Sequence, residues 1–247
     1  MMRKSINRTT VIIVLAIFLS VSVGYALFSD TITIEGTATA QGNFDIEASC
    51  LSNVTTDMLY EFGFKDTSGD SGSDIVANLF KEHGYKDETC VVSNDKVTYS
   101  VGLEYPTATK YQWIKMKNNG NIPAYFDFMN VFEQHLRNVI KKYDSENNLL
   151  ETINTAEDDK EAIITFSFYM VGQSAEGIYY NFSEDEDNFI ANFSKIDEET
   201  GEIKIILKPG ETLYVPLLAY WDEDYNENNV KYEATGIFEI DWQQYTD

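Results

Sequence analysis

Two histidines, His83 and His135, are all the chain offers for imidazole chemistry, and they lie far apart in its 247 residues. A zinc peptidase of the H-E-x-x-H kind needs two histidines four apart on one helix, with a glutamate between them as general base. That pattern is missing, so zinc proteolysis has no support here. His83 precedes Gly84 at an expected helix end, where a cation suits the helix dipole. His135 sits beside Leu136 on an apolar-periodic stretch, as a partly buried helix histidine would. Gly69-Asp70-Ser71-Gly72 has the form of a serine-nucleophile loop, but Ser73-Asp74 follows and no oriented His–Asp pair accompanies it. The cluster reads as a loop.

Oxygen ligands are more plentiful. Asp222, Asp224 and Asn226 alternate, and Glu233 is twelfth counting from Asp222, which is the ligand spacing of a calcium loop. Position six is Glu227 where a sharp turn wants Gly, and strands flank the segment instead of helices. The segment is therefore a solvated acidic loop, or a calcium site of low affinity. The run Glu184-Asp185-Glu186-Asp187 adds carboxylates without a spacing rule. No single carboxylate pair stands out for glycoside cleavage. There is no Gly-rich phosphate loop and no basic stripe. The expectation is no catalytic residue and no cofactor beyond that calcium.

The net charge of −23 repels nucleic acid and anionic membrane surfaces, because phosphate binding depends on Lys and Arg displacing counterions. Arg3, Lys4 and Arg8 precede an uncharged run from Val11 to Gly24, and Gly24-Tyr25-Ala26 sets small residues where a signal peptidase reads them. Cleavage is expected between Ala26 and Leu27, after a signal peptide of residues 1–26. The chain then meets a membrane only before cleavage and is secreted, extracellular or at the cell surface. An uncleaved anchor is the alternative. Two cysteines, Cys50 and Cys90, follow the signal, and an even pair in an exported chain is expected to form a disulfide. Closing that loop stabilises by roughly 3–4 kcal/mol on the chain-entropy model.

Period-2 alternation organises the rest. Val97, Tyr99, Val101, Leu103 and Tyr105 share one parity, as do Ile164, Phe166, Phe168 and Met170, and Tyr232, Ala234, Gly236, Phe238, Ile240 and Trp242. Such runs put one side of a strand on a core and the other toward water. They predict an all-β, antiparallel β-sandwich over residues 27–247. Asn118-Asn119-Gly120-Asn121 and Lys208-Pro209-Gly210-Glu211 separate strand pairs and predict two hairpin-like units. Helical excursions are expected after Ser73, with Val76, Leu79 and Phe80 on one face, over about 128–143, and near 184–195 with Phe189, Ile190 and Phe193. Residues 49–95 carry little alternation and read as an insertion stapled by the disulfide.

Ala26-Leu27-Phe28-Ser29-Asp30 followed by Gly42-Asn43-Phe44-Asp45-Ile46 resembles the start of the TasA/camelysin family of Gram-positive bacteria, whose export uses a SipW-type signal peptidase. Trp113 through Gly120 resembles a strand-turn of that family, and Tyr232 through Trp242 its last strand. The resemblance implies a jelly-roll-like sandwich serving as a biofilm extracellular-matrix or fibre subunit. It also implies self-assembly, or assembly with other matrix and surface proteins, by a donated N-terminal strand. The matching segment is Phe28 to Ile46, with Phe28, Ile32, Ile34, Phe44 and Ile46 as the side chains to insert. The same segment could instead be the first strand of its own sheet. A surface adhesin or binding module using residues 49–95 is the alternative function. A secreted camelysin-type metallopeptidase, implied only by the family, comes last.

Overall fold

The computed structural model describes residues 43, 45–65, 75–93, 96–128, 137–155, 163–167, 169–197, 200–222 and 229–245. The chain divides into two units, Met1–Gln41 and Gly42–Asp247, and all that follows concerns the second. Ala26, Leu27, Phe28, Ile32, Ile34 and Phe44 lie outside the described residues. So do His135, Asp224, Asn226 and the Gly69–Gly72 loop.

The expected antiparallel sandwich is what the chain forms. One sheet holds β1 (Ile46–Leu51), β4 (Thr109–Asn118), β13 (Thr212–Tyr220), β9 (Val171–Gln173) and β10 (Tyr179–Asn181) in that order, with β8 (Ile164–Phe166) also pairing β13. A second holds β2 (Tyr85–Ser93), β3 (Lys96–Leu103), β14 (Val230–Glu239), β6 (Arg137–Asp144) and β7 (Leu149–Asn154). A smaller third sheet orders β11 (Ser194–Ile196), β12 (Ile203–Leu207), β5 (Ala124–Asp127) and β15 (Gln243–Gln244). The alternation read on β3 is realised, with Val97, Tyr99, Val101 and Leu103 buried and their neighbours less so. These residues meet Ile114, Met116, Leu213, Val215, Leu217, Ile140 and Ala234 in one core between the sheets.

The two turn motifs do not make hairpins. β4 and β5 belong to different sheets, and so do β12 and β13. Instead β4 pairs with β13 and β5 with β12, so two antiparallel strands leave one sheet together and enter the next at a shared corner. Asn118 holds that corner. Fully buried, it donates from Nδ2 to the carbonyls of Ile122 and Leu207, both at 2.9 Å, and its Oδ1 accepts from Gly120 N–H at 2.9 Å. Beside it Glu211 accepts from Lys208 N–H at 2.7 Å, and burial raises its carboxyl pKa despite that bond and the Lys208 charge. Pro216 lies within β13, where the ladder changes from β9 to β8. Its missing donor is tolerated at that irregularity, and its carbonyl accepts from Ser167 N–H.

The helix expected over about 128–143 is overturned from Arg137 onward, where β6 pairs with both β14 and β7. Val139, Ile140 and Tyr143 fit either period over so short a run, and two flanking strands decide between them. The other two helices form. α2 (Ile75–Leu79) is the short one, and of its three expected face residues Val76 and Phe80 are buried while Leu79 faces solvent. α3 (Glu186–Phe193) is capped by Asp185 and buries Phe189 and Phe193. An unexpected α1 (Thr56–Glu61) is capped by the Thr55 hydroxyl, which accepts from Met58 N–H at 3.3 Å.

The helical excursion between the cysteines proper occupies 52–84, since Leu51 and Tyr85 already belong to strands. It is not a loose appendage. Leu59, Phe62, Phe64, Val76 and Phe80 cover the outer face of the first sheet and pack on Tyr111, Trp113, Val171 and Tyr214. The rings of Phe62 and Tyr214 lie 4.7 Å apart, and those of Phe80 and Tyr111 5.0 Å apart. That cover explains why β4 and β13 are buried on both faces in a fold whose strands were expected to keep one side wet.

Candidate functional site

Cys50 and Cys90 are bonded as expected. β1 is the last strand of the first sheet and β2 the last strand of the second, so the disulfide clasps the two sheets at one margin of the sandwich. Beside the clasp a cleft of about 570 Å³ opens, lined by β1, the 52–55 loop, β2 and β4.

Alternation along β4 sends Ile114 and Met116 into the intersheet core, and the same parity sends Lys110 and Gln112 into the cleft. Lys110 Nζ donates to Glu82 Oε2 at 2.7 Å, lies 3.3 Å from Glu88 Oε2, and stands 4.6 Å above the centre of the Tyr85 ring. Burial alone would lower the Lys110 pKa. The hydrogen bond and charge of Glu82, with Glu88 and Tyr85 behind them, outweigh it and hold the ammonium above its ordinary value. Glu82 Oε1 also accepts from Tyr111 N–H at 3.3 Å, standing in for a strand partner where β1 has ended. Gln112 donates from its amide to the carbonyls of Leu51 and Trp113.

Tyr99 stands opposite Cys90 in the β2–β3 ladder and is wholly buried. Among the described residues its hydroxyl has no hydrogen-bond partner. Burial first, then the charges of Glu88, Glu82 and Tyr85, raise its pKa. Burial likewise pushes Tyr111 up to about 12, with Tyr169 and Glu82 adding to it.

The residues singled out in the sequence fall elsewhere. His83 bridges Thr109 by two backbone hydrogen bonds rather than capping a helix. Its neighbour Gly84 has φ +66°, and a Cβ there would lie 2.6 Å from the Tyr105 ring. Asp222 follows the buried Trp221, and Glu233 sits on β14, accepting from the Tyr143 hydroxyl at 2.9 Å with Lys141 nearby. Among the described residues no three His, Cys, Asp or Glu side chains group as metal ligands. Ile46 pairs with Asn118 within its own chain, so β1 is a strand of its own sheet from that residue on. Glu82, Glu88 and Lys110 escaped sequence reading because 28 residues separate Glu82 from Lys110 and no motif links them. Lys110 at an apolar-parity position of a core strand was the available signal. Among the described residues no helix is long and apolar enough to cross a membrane. Compared with known proteins, the chain matches no family model, no curated protein and no solved structure.

Proposed function

We propose that this chain is an exported, non-enzymatic structural protein of the cell surface or extracellular matrix, a fibre- or matrix-type subunit that assembles with copies of itself or with other matrix proteins. The observation that carries this reading is the clasp: Cys50–Cys90 fastens the terminal strands of two sheets, a device suited to an oxidising compartment and to a sandwich under load. The basic and apolar leading stretch, the acidic surface and the resemblance to the TasA/camelysin family support it. A jelly-roll-like wiring and a donated N-terminal segment beginning at Phe28 are parts of the proposal that come from that resemblance, with Ile46 itself kept in its own sheet by its pairing with Asn118. β7 ends the second sheet, with Leu149 and Leu150 more than half exposed, and offers an edge for strand addition.

The test is the size of the secreted species and its first residue. A polymer beginning at Leu27, lost when residues 27–42 are deleted while the sandwich stays folded, is the expected result. A monomer at high concentration, with and without calcium, would overturn it.

A binding module is the second reading, and the cleft beside the clasp favours it, since residues 52–55 of the excursion form one wall. Replacing 52–84 by a short linker should then abolish attachment to surfaces or ligands. Unchanged attachment removes the reading.

A further inference from the structure

Cations are scarce in this chain, 18 Lys and Arg against 41 Asp and Glu, yet two lysines share one face of the third sheet. Along β12, Ile205 and Leu207 enter the core and Ile203 packs against it, so Lys204 points to the opposite face. Lys195 on β11 stands directly across from Lys204 in the ladder and lies on that same face. Like charges so placed repel one another. Asp127, opposite Lys204 on the other side, is the one acid in that row, so positive charge is in excess. On β5 the alternation buries Ala124 and Phe126 and leaves Tyr125 outward. The Lys204 ammonium stands 5.1 Å from the centre of the Tyr125 ring, which meets the Tyr245 ring at 6.0 Å. Lys195 Nζ stands 5.6 Å from the centre of that second ring. Both ammoniums therefore converge on one pair of tyrosines. Lys195 is exposed, and Lys204, Tyr125 and Tyr245 are half-buried.

The opposite charge lies at the far end of α3, the helix that runs straight into β11. Glu184, Asp185, Glu186 and Asp187 follow one another there, and all four are exposed. Asp185 is committed to the cap, accepting from Asn188 N–H. Glu184, Glu186 and Asp187 make no ion pair among the described residues. Eight residues of helix span about 12 Å, so one rigid element carries an acidic end and leads into a basic face. A carboxylate laid between Lys195 and Lys204 would relieve their repulsion through charge-assisted hydrogen bonds. In so acidic a protein, the most abundant source of such carboxylates is another copy. We propose that Lys195 and Lys204, on the outer face of the third sheet, receive the Glu184–Asp187 run of a second copy in a head-to-tail contact. The two surfaces differ, so each copy gives its acidic end and keeps its lysine face for the next, which generates a ring or an open filament. The inference rests on the self-assembly reading and needs no donated strand.

The measurement is sedimentation velocity of the full secreted chain over a concentration series. The parent should assemble, and assembly should weaken as NaCl rises from about 0.05 to about 0.5 M, because salt screens exposed charges. Salt-insensitive assembly would overturn the contact without any substitution. Lys195→Gln with Lys204→Gln should raise the concentration needed for assembly about tenfold. Glu184→Gln and Glu186→Gln with Asp187→Asn should do the same from the other side. Lys195→Arg with Lys204→Arg keeps the charge and should keep assembly. Mixing the two neutralised variants is the sharpest arm. One retains the acidic end and the other the lysine face, so together they should stop at a one-to-one dimer. A polymer unchanged by both sets of substitutions, or two silent variants that do not pair when mixed, would overturn this contact and leave self-assembly standing. A parent that is monomeric at every concentration would overturn both, and its binding of polygalacturonate through Lys195 and Lys204 would put an acidic glycan on the face instead.

Discussion

Cys90 faces Tyr99 across the β2–β3 ladder and is bonded to Cys50 on β1, with the two Cα atoms 6.1 Å apart. One covalent link therefore joins the outermost strands of two sheets whose backbones share no hydrogen-bonded ladder. Among the described residues each of those strands is laddered on one side only, β1 by β4 and β2 by β3.

Opening the clasp should loosen this margin without dissolving the core. The chain-entropy cost of losing a closed loop of 40 residues is roughly 3–4 kcal/mol. Cys50→Ser with Cys90→Ser should lower the unfolding free energy by about that much in urea titrations, with a larger m-value because the unlinked unfolded chain exposes more surface. Faster proteolysis within 52–84 should accompany it, since the excursion is anchored through β1 and β2. A variant as stable as the parent would mean the clasp is mechanically idle.

The corner at Asn118 is the second point where one side chain holds distant strands. Asn118→Ala removes the partner of one buried carbonyl, one part-buried carbonyl and one part-buried N–H. Each buried unsatisfied group costs about 1–3 kcal/mol, and relaxation recovers part of it, so a loss of about 2–4 kcal/mol is expected. Asn119→Ala, whose amide reaches the exposed Glu47 side chain, should cost well under 1 kcal/mol. Equal costs for the two, measured by thermal unfolding, would contradict the assignment.

That corner also marks the limit of what the residues foretold. The strands were legible in the alternation of β3 and β14 and, for β4, β12 and β13, in the Asn-Gly and Pro-Gly motifs that bound them. Which strand each would pair with was not, because a turn motif specifies a reversal or a bend equally well and long-range register decides. The same holds for β6, where Val139 and Ile140 suit a helix locally and a strand only once β14 lies beside them. The excursion was visible as a break in alternation. Its role in covering Trp113 and Tyr214 depends on aromatic contacts between residues far apart in sequence, which no local pattern encodes. The disulfide needed only a count of cysteines. The cleft needed three dimensions.

Close packing at α3 gives a third test. Gly172 on β9 lies under Phe193, and a Cβ there would approach the ring to 2.5 Å. Phe193 is fully buried and 5.5 Å from the Phe189 ring, so it has little room to yield. Gly172→Ala should cost about 1–3 kcal/mol by overpacking. Adding Phe193→Leu should recover part of that loss, so the double variant is more stable than the sum of the single effects predicts. Strict additivity would place the strain elsewhere.

Alkali should unfold this protein earlier than its acidic composition suggests, because three buried tyrosines and Lys110 are tuned the same way. Tyr111 and Tyr214 are pushed up to about 12 by burial, and Tyr99 is raised further for the same reason. A tyrosine whose folded pKa exceeds its unfolded value of 10.0 stays protonated in the fold while the unfolded chain ionises. Its contribution is intact below pH 10.0 and is lost progressively as pH rises toward the folded value. Lys110 has the same sign, since its ammonium is favoured in the fold and the gain disappears as pH climbs through its raised pKa. Stability should therefore hold level up to the ordinary tyrosine value and fall steeply between about pH 10 and 12, followed by urea unfolding. Tyr99→Phe discriminates the cause, because its hydroxyl has no partner to lose among the described residues. The variant should be at least as stable as the parent near neutral pH and decline less steeply in alkali. A slope identical to the parent's would show that Tyr99 does not carry the transition.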